Sequence, residues 1–307
     1  MRWFLLSALL LAPALALGGE AEWKARHDEG DAARLEMKTA KSEAIFAALA
    51  KDIEASLKAA IAKDPQSEGV ATDAYWLAYV YLRLNRYREA APLLLRSLDL
   101  RSKRFGEDSD QAAEVLEKVI WVADQSKVDA LWARILQIRE RVHGADSRAV
   151  ADTLRDIAMN RLTSSRYDEA EKLYDRSVAI MEKKAGRDGP DVVPAISSLA
   201  WLYVVQDRNE EAIPLYQRAL AITEKAGGSD DRLAEALENL AYAYQGTKRY
   251  TEAEELYLRA LPLREKAHGP NDITTQVNVG RLHDIYDITN QWSKKREMTR
   301  RIEAARE

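Results

Sequence analysis

The chain has 307 residues, of which 47% are apolar and 31% are charged, so it can bury a substantial core. Its 46 Lys and Arg residues nearly balance its 50 Asp and Glu residues, which argues against nucleic acid or an anionic membrane surface as a partner. Cysteine is absent, which excludes disulfides, thiolate metal sites and a cysteine nucleophile, and the low content of Gly and Pro favours helix.

Residues 1–18 differ from the rest of the chain. Arg2 precedes an uncharged apolar run from Trp3 to Leu17, and small residues follow it. This order is typical of a secretory signal peptide. The alternative is a retained membrane anchor, but the run is shorter than the ~20 residues that a bilayer core requires. We therefore predict cleavage near residues 17–20 and a mature protein without a stable membrane span, exported to a bacterial periplasm or secreted.

The next segment, residues 19–70, begins with charged residues and continues with apolar residues four positions apart. These apolar residues are Ile45, Leu49, Ile53, Leu57 and Ile61. Because this spacing places them on one face of a helix, the segment predicts one or two amphipathic helices. We expect them to form an N-terminal cap or a degenerate repeat in front of the remaining chain.

Residues 71–307 contain an internal repeat. The sequence RYDEAEKLY at 166–174 returns as RYTEAEELY at 249–257, and weaker copies lie between and before them. Each copy except one is marked by an alanine: Ala90, Ala170, Ala212 and Ala253. The last three alanines are about 42 residues apart, and the interval from Ala90 to Ala170 has room for one divergent copy. The motifs LAYVY, LAWLY and LAYAY precede three of these alanines. Self-similarity at such a period is typical of a solenoid.

The motif of Leu240, Ala241 and Tyr244, followed by Ala253 and Tyr257, resembles the tetratricopeptide repeat (TPR). The period of about 42 residues and connectors such as EKAHGPND resemble the kinesin-light-chain subtype of that family. The resemblance implies an all-α fold, a right-handed α-solenoid of antiparallel helix pairs (a TPR superhelix). It implies about six pairs over residues 71–307, of which the last is a divergent cap.

The connectors between the copies share a glycine followed by an aspartate. We expect the glycines to end helices in the left-handed conformation: Gly106, Gly144, Gly186, Gly227 and Gly269. We expect the aspartates to cap the N-terminus of the next helix: Asp108, Asp146, Asp191, Asp231 and Asp272.

The sequence contains no motif that indicates catalysis: no Gly-rich phosphate loop, HExxH pair or GxSxG elbow. His283 and Asp287 have the spacing of two metal ligands on a helix, but an exposed polar pair is the favoured interpretation. We therefore predict no catalytic residue, no metal and no cofactor. Two alternatives remain, a self-assembling structural protein and a hydrolase without a recognisable motif.

The family resemblance implies a concave groove lined by the first helix of each pair. The residue next to the small position would face this groove: Tyr79, Trp121, Met159, Trp201, Tyr242 and Asp284. Flanking residues would supply further contacts: Tyr75, Trp76, Arg155, Ser198, Glu238, Asn239 and Arg281. Tyr, Trp and Arg dominate binding surfaces, so we predict an interaction scaffold that binds a peptide or a segment of a partner protein. The alternative is that these side chains pack between adjacent helices. Self-association is a further possibility, because incompletely capped solenoids stack end to end.

Overall fold

A computed structural model describes residues 21, 23–28 and 39–305 of the chain. The predicted signal peptide and its cleavage region lie outside these residues. Within the described residues every regular element is a helix and none is a strand. The structure thus confirms the predicted all-α class of repeated helix pairs.

The chain divides into two compact units between Arg134 and Ile135. The first unit contains a short helical stretch at 23–28, which precedes the first long helix. Its long helices are α1 (Thr39–Lys63), α2 (Glu68–Arg83), α3 (Tyr87–Phe105) and α4 (Asp110–Val119), and a 3-10 helix (Ile120–Val122) continues α4. Helix α5 (Gln125–His143) begins in this unit and ends in the next. In the first unit α2 packs closely against α1 and α3.

The second unit is built from four successive helix hairpins. The first two are α6 (Arg148–Thr163) with α7 (Tyr167–Ala185), and α8 (Val193–Val205) with α9 (Asn209–Ala226), separated by a 3-10 helix (Pro190–Val192). The last two are α10 (Asp230–Gly246) with α11 (Tyr250–His268), and α12 (Ile273–Ile288) with α13 (Trp292–Ala304). Within each hairpin the two helices pack closely, and each hairpin also packs against the next.

Small residues allow the two helices of a pair to approach closely. The repeated alanines are fully buried: Ala90, Ala170, Ala212 and Ala253. Seven residues further along, Ser97 and Ser177 are also buried, and each hydroxyl donates a 2.7 Å hydrogen bond to an alanine carbonyl of the preceding helix. In the second unit Tyr174, Tyr216 and Tyr257 are buried and fill the space beside the alanines. The sequence repeat is therefore a repeat of core contacts.

All five connector glycines have a positive φ angle, but most are not left-handed helical. Gly227 (φ 65°, ψ 42°) has that conformation, whereas Gly106 (φ 96°, ψ 148°), Gly186 (φ 78°, ψ 156°) and Gly269 (φ 93°, ψ 164°) lie in a region that is open essentially to glycine alone. The predicted conformation is thus wrong for these three, although the requirement for glycine holds. The extended ψ angle turns the chain directly from one helix pair into the next.

The predicted aspartate caps are wrong at four of the five connectors. Only Asp272 caps its helix, while three other helices are capped by the hydroxyls of Ser109, Ser147 and Ser229. The physical reason is that three of the remaining aspartates form ion pairs with other helices, one of them Asp191 with Arg148 on α6. Asp146 pairs with Lys183, and Asp231 pairs with Arg264 and His268.

Candidate partner-binding site

Two pockets on the second unit share part of their lining. The larger, of about 630 Å³, is lined mainly by α6, α8 and α10, and it includes Arg155, Met159, Ser198, Trp201 and Asn239 among the predicted groove residues. The smaller, of about 240 Å³, is lined by α8, α10 and α12, and it includes Trp201, Glu238, Asn239, Tyr242 and Arg281. The structure therefore brings eight of the thirteen predicted residues together at one place.

The position of the aromatic residues follows from helix geometry. Ala200 and Ala241 are fully buried at the contact with the neighbouring helix. The next residue on an α-helix is rotated by about 100°, so Trp201 and Tyr242 point away from that contact. Trp201 keeps 40% of its surface exposed, and Tyr242 is half-buried. The motif of a small residue followed by a ring thus places one ring of α8 and one ring of α10 at the pocket surface.

The side chains at the smaller pocket form a row across three successive first helices. The rings of Trp201 and Tyr242 lie 6.1 Å apart between centroids and are tilted by 41°. The guanidinium carbon of Arg281 lies 4.6 Å from the centroid of Tyr242, within the range of a cation–π contact. Among the described residues no carboxylate pairs with Arg281. We call Trp201, Tyr242 and Arg281 the aromatic row.

Glu238 is predicted to offer a polar contact, but its carboxylate is already engaged. It accepts a 2.7 Å hydrogen bond from the Nη2 atom of Arg264 and a 3.1 Å bond from the amide of Asn278. Glu238 therefore lines the pocket while holding α10 to α11 and α12. The neighbouring Asn239 is half-buried and lines both pockets.

The larger pocket combines apolar surface with arginines. Arg155 pairs with Asp152 at 3.2 Å, and Arg148 pairs with Asp191 at 3.2 Å. Arg232 is exposed and forms no ion pair with any of the described residues. Buried tyrosines contribute to the pocket walls: burial raises the pKa of Tyr216, which lines both pockets, and of Tyr257, which lines the smaller one. Both phenols are thus neutral donors at physiological pH.

Of the five other predicted groove residues, Asp284 is exposed on α12 and lines neither pocket. The remaining four lie in the first unit and differ in exposure. Trp121 is 68% exposed on the 3-10 helix that continues α4. Tyr75 and Tyr79 are half-buried on α2, whereas Trp76 is only 7% exposed. Trp76 is covered in this arrangement because the stretch at 23–28 packs against it, and its contact with a partner stays a prediction. No repeat motif in the sequence indicates this cover.

His283 and Asp287, which have the spacing of two metal ligands, each contact a different residue. His283 lies 3.4 Å from Asp284, and Asp287 pairs instead with Lys295 at 2.5 Å. Among residues 21, 23–28 and 39–305 no group of three potential ligands converges. The helices in the same part of the chain also lack the combination of length and apolar character that a membrane span requires.

Models of known protein families match most of the repeated region. A model described as tetratricopeptide repeat matches residues 129–183, 161–225, 191–266 and 232–286, which together cover more than half of the chain. A second model with that description matches residues 77–111. No curated protein sequence matches the chain.

Several solved structures share the fold. BtubC (BKLC) from P. vanneervenii is 20% identical, with a TM-score of 0.54 over 81% of this chain and 91% of that one. Aspartyl phosphate phosphatase F from Bacillus subtilis is 11% identical, with a TM-score of 0.57 over 94% and 76%. A signal transduction ATPase with a tetratricopeptide repeat sensor from Pyrococcus horikoshii is 13% identical, with a TM-score of 0.62 over 92% and 46%. At these identities the similarity shows the fold alone.

Proposed function

The chain belongs to the tetratricopeptide repeat family, and from this premise we propose that it is a non-catalytic scaffold that binds a segment of a partner protein. We place the binding site at the two pockets of the second unit. The occupant in this proposal is an extended peptide or a partner segment that crosses α6, α8, α10 and α12.

The observation that carries the proposal is the aromatic row. Trp201 remains 40% exposed although its neighbours Ala200 and Leu202 are fully buried, so the ring is not needed to fill the core. Tyr242 and Arg281 are half-buried beside it, and Trp, Tyr and Arg are the residue types that contribute most to binding energy. Asn239 adds an amide that can both donate and accept hydrogen bonds, which suits a peptide backbone.

Peptide selection tests this proposal. We would select peptides from a random display library on the full chain and measure their affinity by calorimetry. We expect Trp201→Ala to weaken selected peptides at least about tenfold, which corresponds to ~1.4 kcal/mol. Trp292→Ala is the matched control, because Trp292 is 55% exposed on α13 and lines neither pocket.

The stability of the same variants separates a binding role from a packing role. A half-exposed Trp201 should lose less than ~1 kcal/mol of unfolding free energy on truncation, whereas a core tryptophan loses ~3 to 5 kcal/mol. Equal affinity of every selected peptide for Trp201→Ala and for the unsubstituted chain would contradict the proposed site.

We further propose that the protein is exported and that its repeats are of the 42-residue kinesin-light-chain-like subtype. The support for export is the basic, apolar and small-residue order of residues 2–19, and the support for the subtype is the spacing of the connector glycines. Mass spectrometry of the N-terminus tests export. We expect a chain that begins near residues 17–20 in the periplasmic or secreted fraction, whereas an intact chain in the membrane fraction would indicate a retained anchor.

A further inference from the structure

In the first unit the chain covers one of its own groove positions. Tyr79 follows the buried Ala78 on α2, as Trp201 follows Ala200 on α8. It therefore has the same position in the repeat as the exposed ring of the second unit. Whereas Trp201 is open to solvent, Tyr79 is covered by the helical stretch at 23–28.

Two side chains of this stretch are almost completely buried. Trp23 and His27 are each 3% exposed, and they stand four residues apart. Residues with this spacing lie on the same face of a helix, one turn from each other. The stretch therefore presents one turn with two rings to α2.

His27 packs into a group of aromatic rings. It stacks on Tyr79, with 4.3 Å between ring centroids and 25° between ring planes. Its ring centroid also lies 5.5 Å from that of Phe46 on α1 and 5.9 Å from that of Trp76. These distances are typical of favourable aromatic contacts.

Trp23 adds a directed polar contact. Its indole N–H donates a 3.2 Å hydrogen bond to Asp73, whose other carboxylate oxygen accepts a 2.7 Å bond from the hydroxyl of Ser56. Arg26 pairs with Asp52 on α1 at 2.7 Å. An indole, a guanidinium and an aromatic ring, at positions i, i+3 and i+4, are thus each matched by a group on α1 or α2.

Two features indicate that this cover is replaceable. Asp73 is 6% exposed, and its two hydrogen-bond donors are neutral side chains. Burial of the charged carboxylate therefore opposes the docking of residues 23–28, and it raises the pKa of the Asp73 carboxyl. In addition, the indole nitrogen of Trp76 is buried without an acceptor among the described residues. A partner helix with an acceptor at that point would satisfy a group that residues 23–28 leave unsatisfied.

We propose that the surface formed by Asp73, Trp76 and Tyr79 is a second docking site, specific for a helical turn with Trp at i and a ring at i+4. We call it the α2 surface, and its resident occupant is the stretch at 23–28 of the same chain. The inference goes beyond the proposed function, because it concerns the first unit and a helical rather than an extended occupant. A partner helix of the same pattern has to displace a tethered competitor, which acts at a high effective concentration.

A labelled peptide with the sequence of residues 20–30, EAEWKARHDEG, tests the α2 surface by fluorescence polarisation on the full chain. We expect it to bind the Trp23→Ala, His27→Ala double variant at least about tenfold more tightly than the unsubstituted chain, because the resident occupant is weakened. Adding Asp73→Ala to the double variant should abolish binding. The same peptide with alanine in place of both rings should not bind.

A milder variant serves in case the double variant does not fold. Arg26→Glu breaks the ion pair with Asp52 and leaves both buried rings in place, so we expect about threefold tighter peptide binding. Adding Asp52→Arg should restore the pair and the weak binding of the unsubstituted chain.

Two results would overturn the proposal. One is peptide binding that is no tighter to either variant than to the unsubstituted chain. The other is loss of binding when Trp201→Ala is added to the double variant, because the peptide would then occupy the pockets of the second unit. That second result would leave the proposed function standing, so the two hypotheses fail separately.

Discussion

At the scale of single residues, the turn inside every helix pair except α4 with α5 depends on one residue with a positive φ angle. These residues have φ angles between 58° and 62°: Asn85, Ser165, Asp207, Lys248 and Asn290. The following residue donates its N–H to a carbonyl five positions back, as Arg249 does to Tyr244 at 2.9 Å. Four of these turns also continue with an arginine that pairs with a glutamate three residues later, a signal that is visible in the sequence. The turn is therefore a repeated backbone motif.

Lys248 is the least suitable of these residues, because it lacks the short polar side chain with which Asn and Asp tolerate this conformation. We expect Lys248→Gly to stabilise the protein by about 0.5 to 1 kcal/mol in chemical denaturation. The adjacent Thr247, with a φ angle of −88°, is the control. Thr247→Gly should destabilise, since glycine only adds unfolded-state entropy there. Destabilisation of similar size by both substitutions would contradict the prediction.

At the scale of helices, the contact between α10 and α11 depends on small residues. Ala241, Ala253 and Ala260 are fully buried at this contact. We expect Ala253→Leu to lower the free energy of unfolding by ~1 to 3 kcal/mol, because the added carbons have no space. Glu255→Leu, on the exposed side of the same helix, should change it by less than ~0.5 kcal/mol. A smaller effect of Ala253→Leu than of this control would show that the helix contact is elsewhere.

The same helices show what the sequence could and could not predict. The pairing of α10 with α11 follows from the sequence because its buried alanines recur at a fixed period. The serine caps could not be assigned securely, since Asp and Ser stand side by side in the connectors and only the backbone path decides which residue caps. The burial of Trp76 could not be predicted at all. Its cover lies outside the repeat, and Trp23 is 50 residues from its partner Asp73.

At the scale of the second unit, ion pairs join each second helix to the next. Arg176 pairs with Glu140, Arg218 with Glu182, Arg259 with Glu224 and Arg301 with Glu265. These pairs connect α5, α7, α9, α11 and α13 in order. We refer to them as the ion-pair ladder.

Because the ladder is partly exposed, its contribution should depend on salt. We expect an increase from about 0.05 to 0.5 M NaCl to lower the free energy of unfolding by about 1 to 3 kcal/mol, at 0.2 to 1 kcal/mol for each pair. A double-mutant cycle with Arg218→Ala and Glu182→Ala should give a coupling energy that shrinks over the same range. A coupling energy that is unaffected by salt would mean that the pair does not contribute through charge.

The stability of the protein in acid should depend on carboxyl groups whose pKa values are shifted in opposite directions. Hydrogen bonds from Arg208 hold the pKa of Glu171 below its ordinary value of 4.5, and those from His268 and Arg264 lower the pKa of Asp231. A carboxyl group whose pKa is lowered on folding stabilises the protein when the pH is above the pKa of the unfolded chain. This stabilisation is lost as the pH falls through the pKa of the folded protein. The raised pKa of Asp73 has the reverse effect, because its contribution is present at low pH and lost as the pH rises.

We therefore expect the melting temperature to be nearly constant between about pH 7 and 5 and to decrease below about pH 4. Glu171→Gln should flatten this decrease, because it removes a carboxylate that must be protonated against its hydrogen bonds. Asp73→Asn should make the decrease steeper, because it removes the group whose protonation relieves a burial penalty. If the melting temperature decreased equally steeply with pH in both variants, the pKa shifts of Glu171 and Asp73 would not be opposite in direction. The stretch at 23–28 would then not bury an unfavourable negative charge at Asp73.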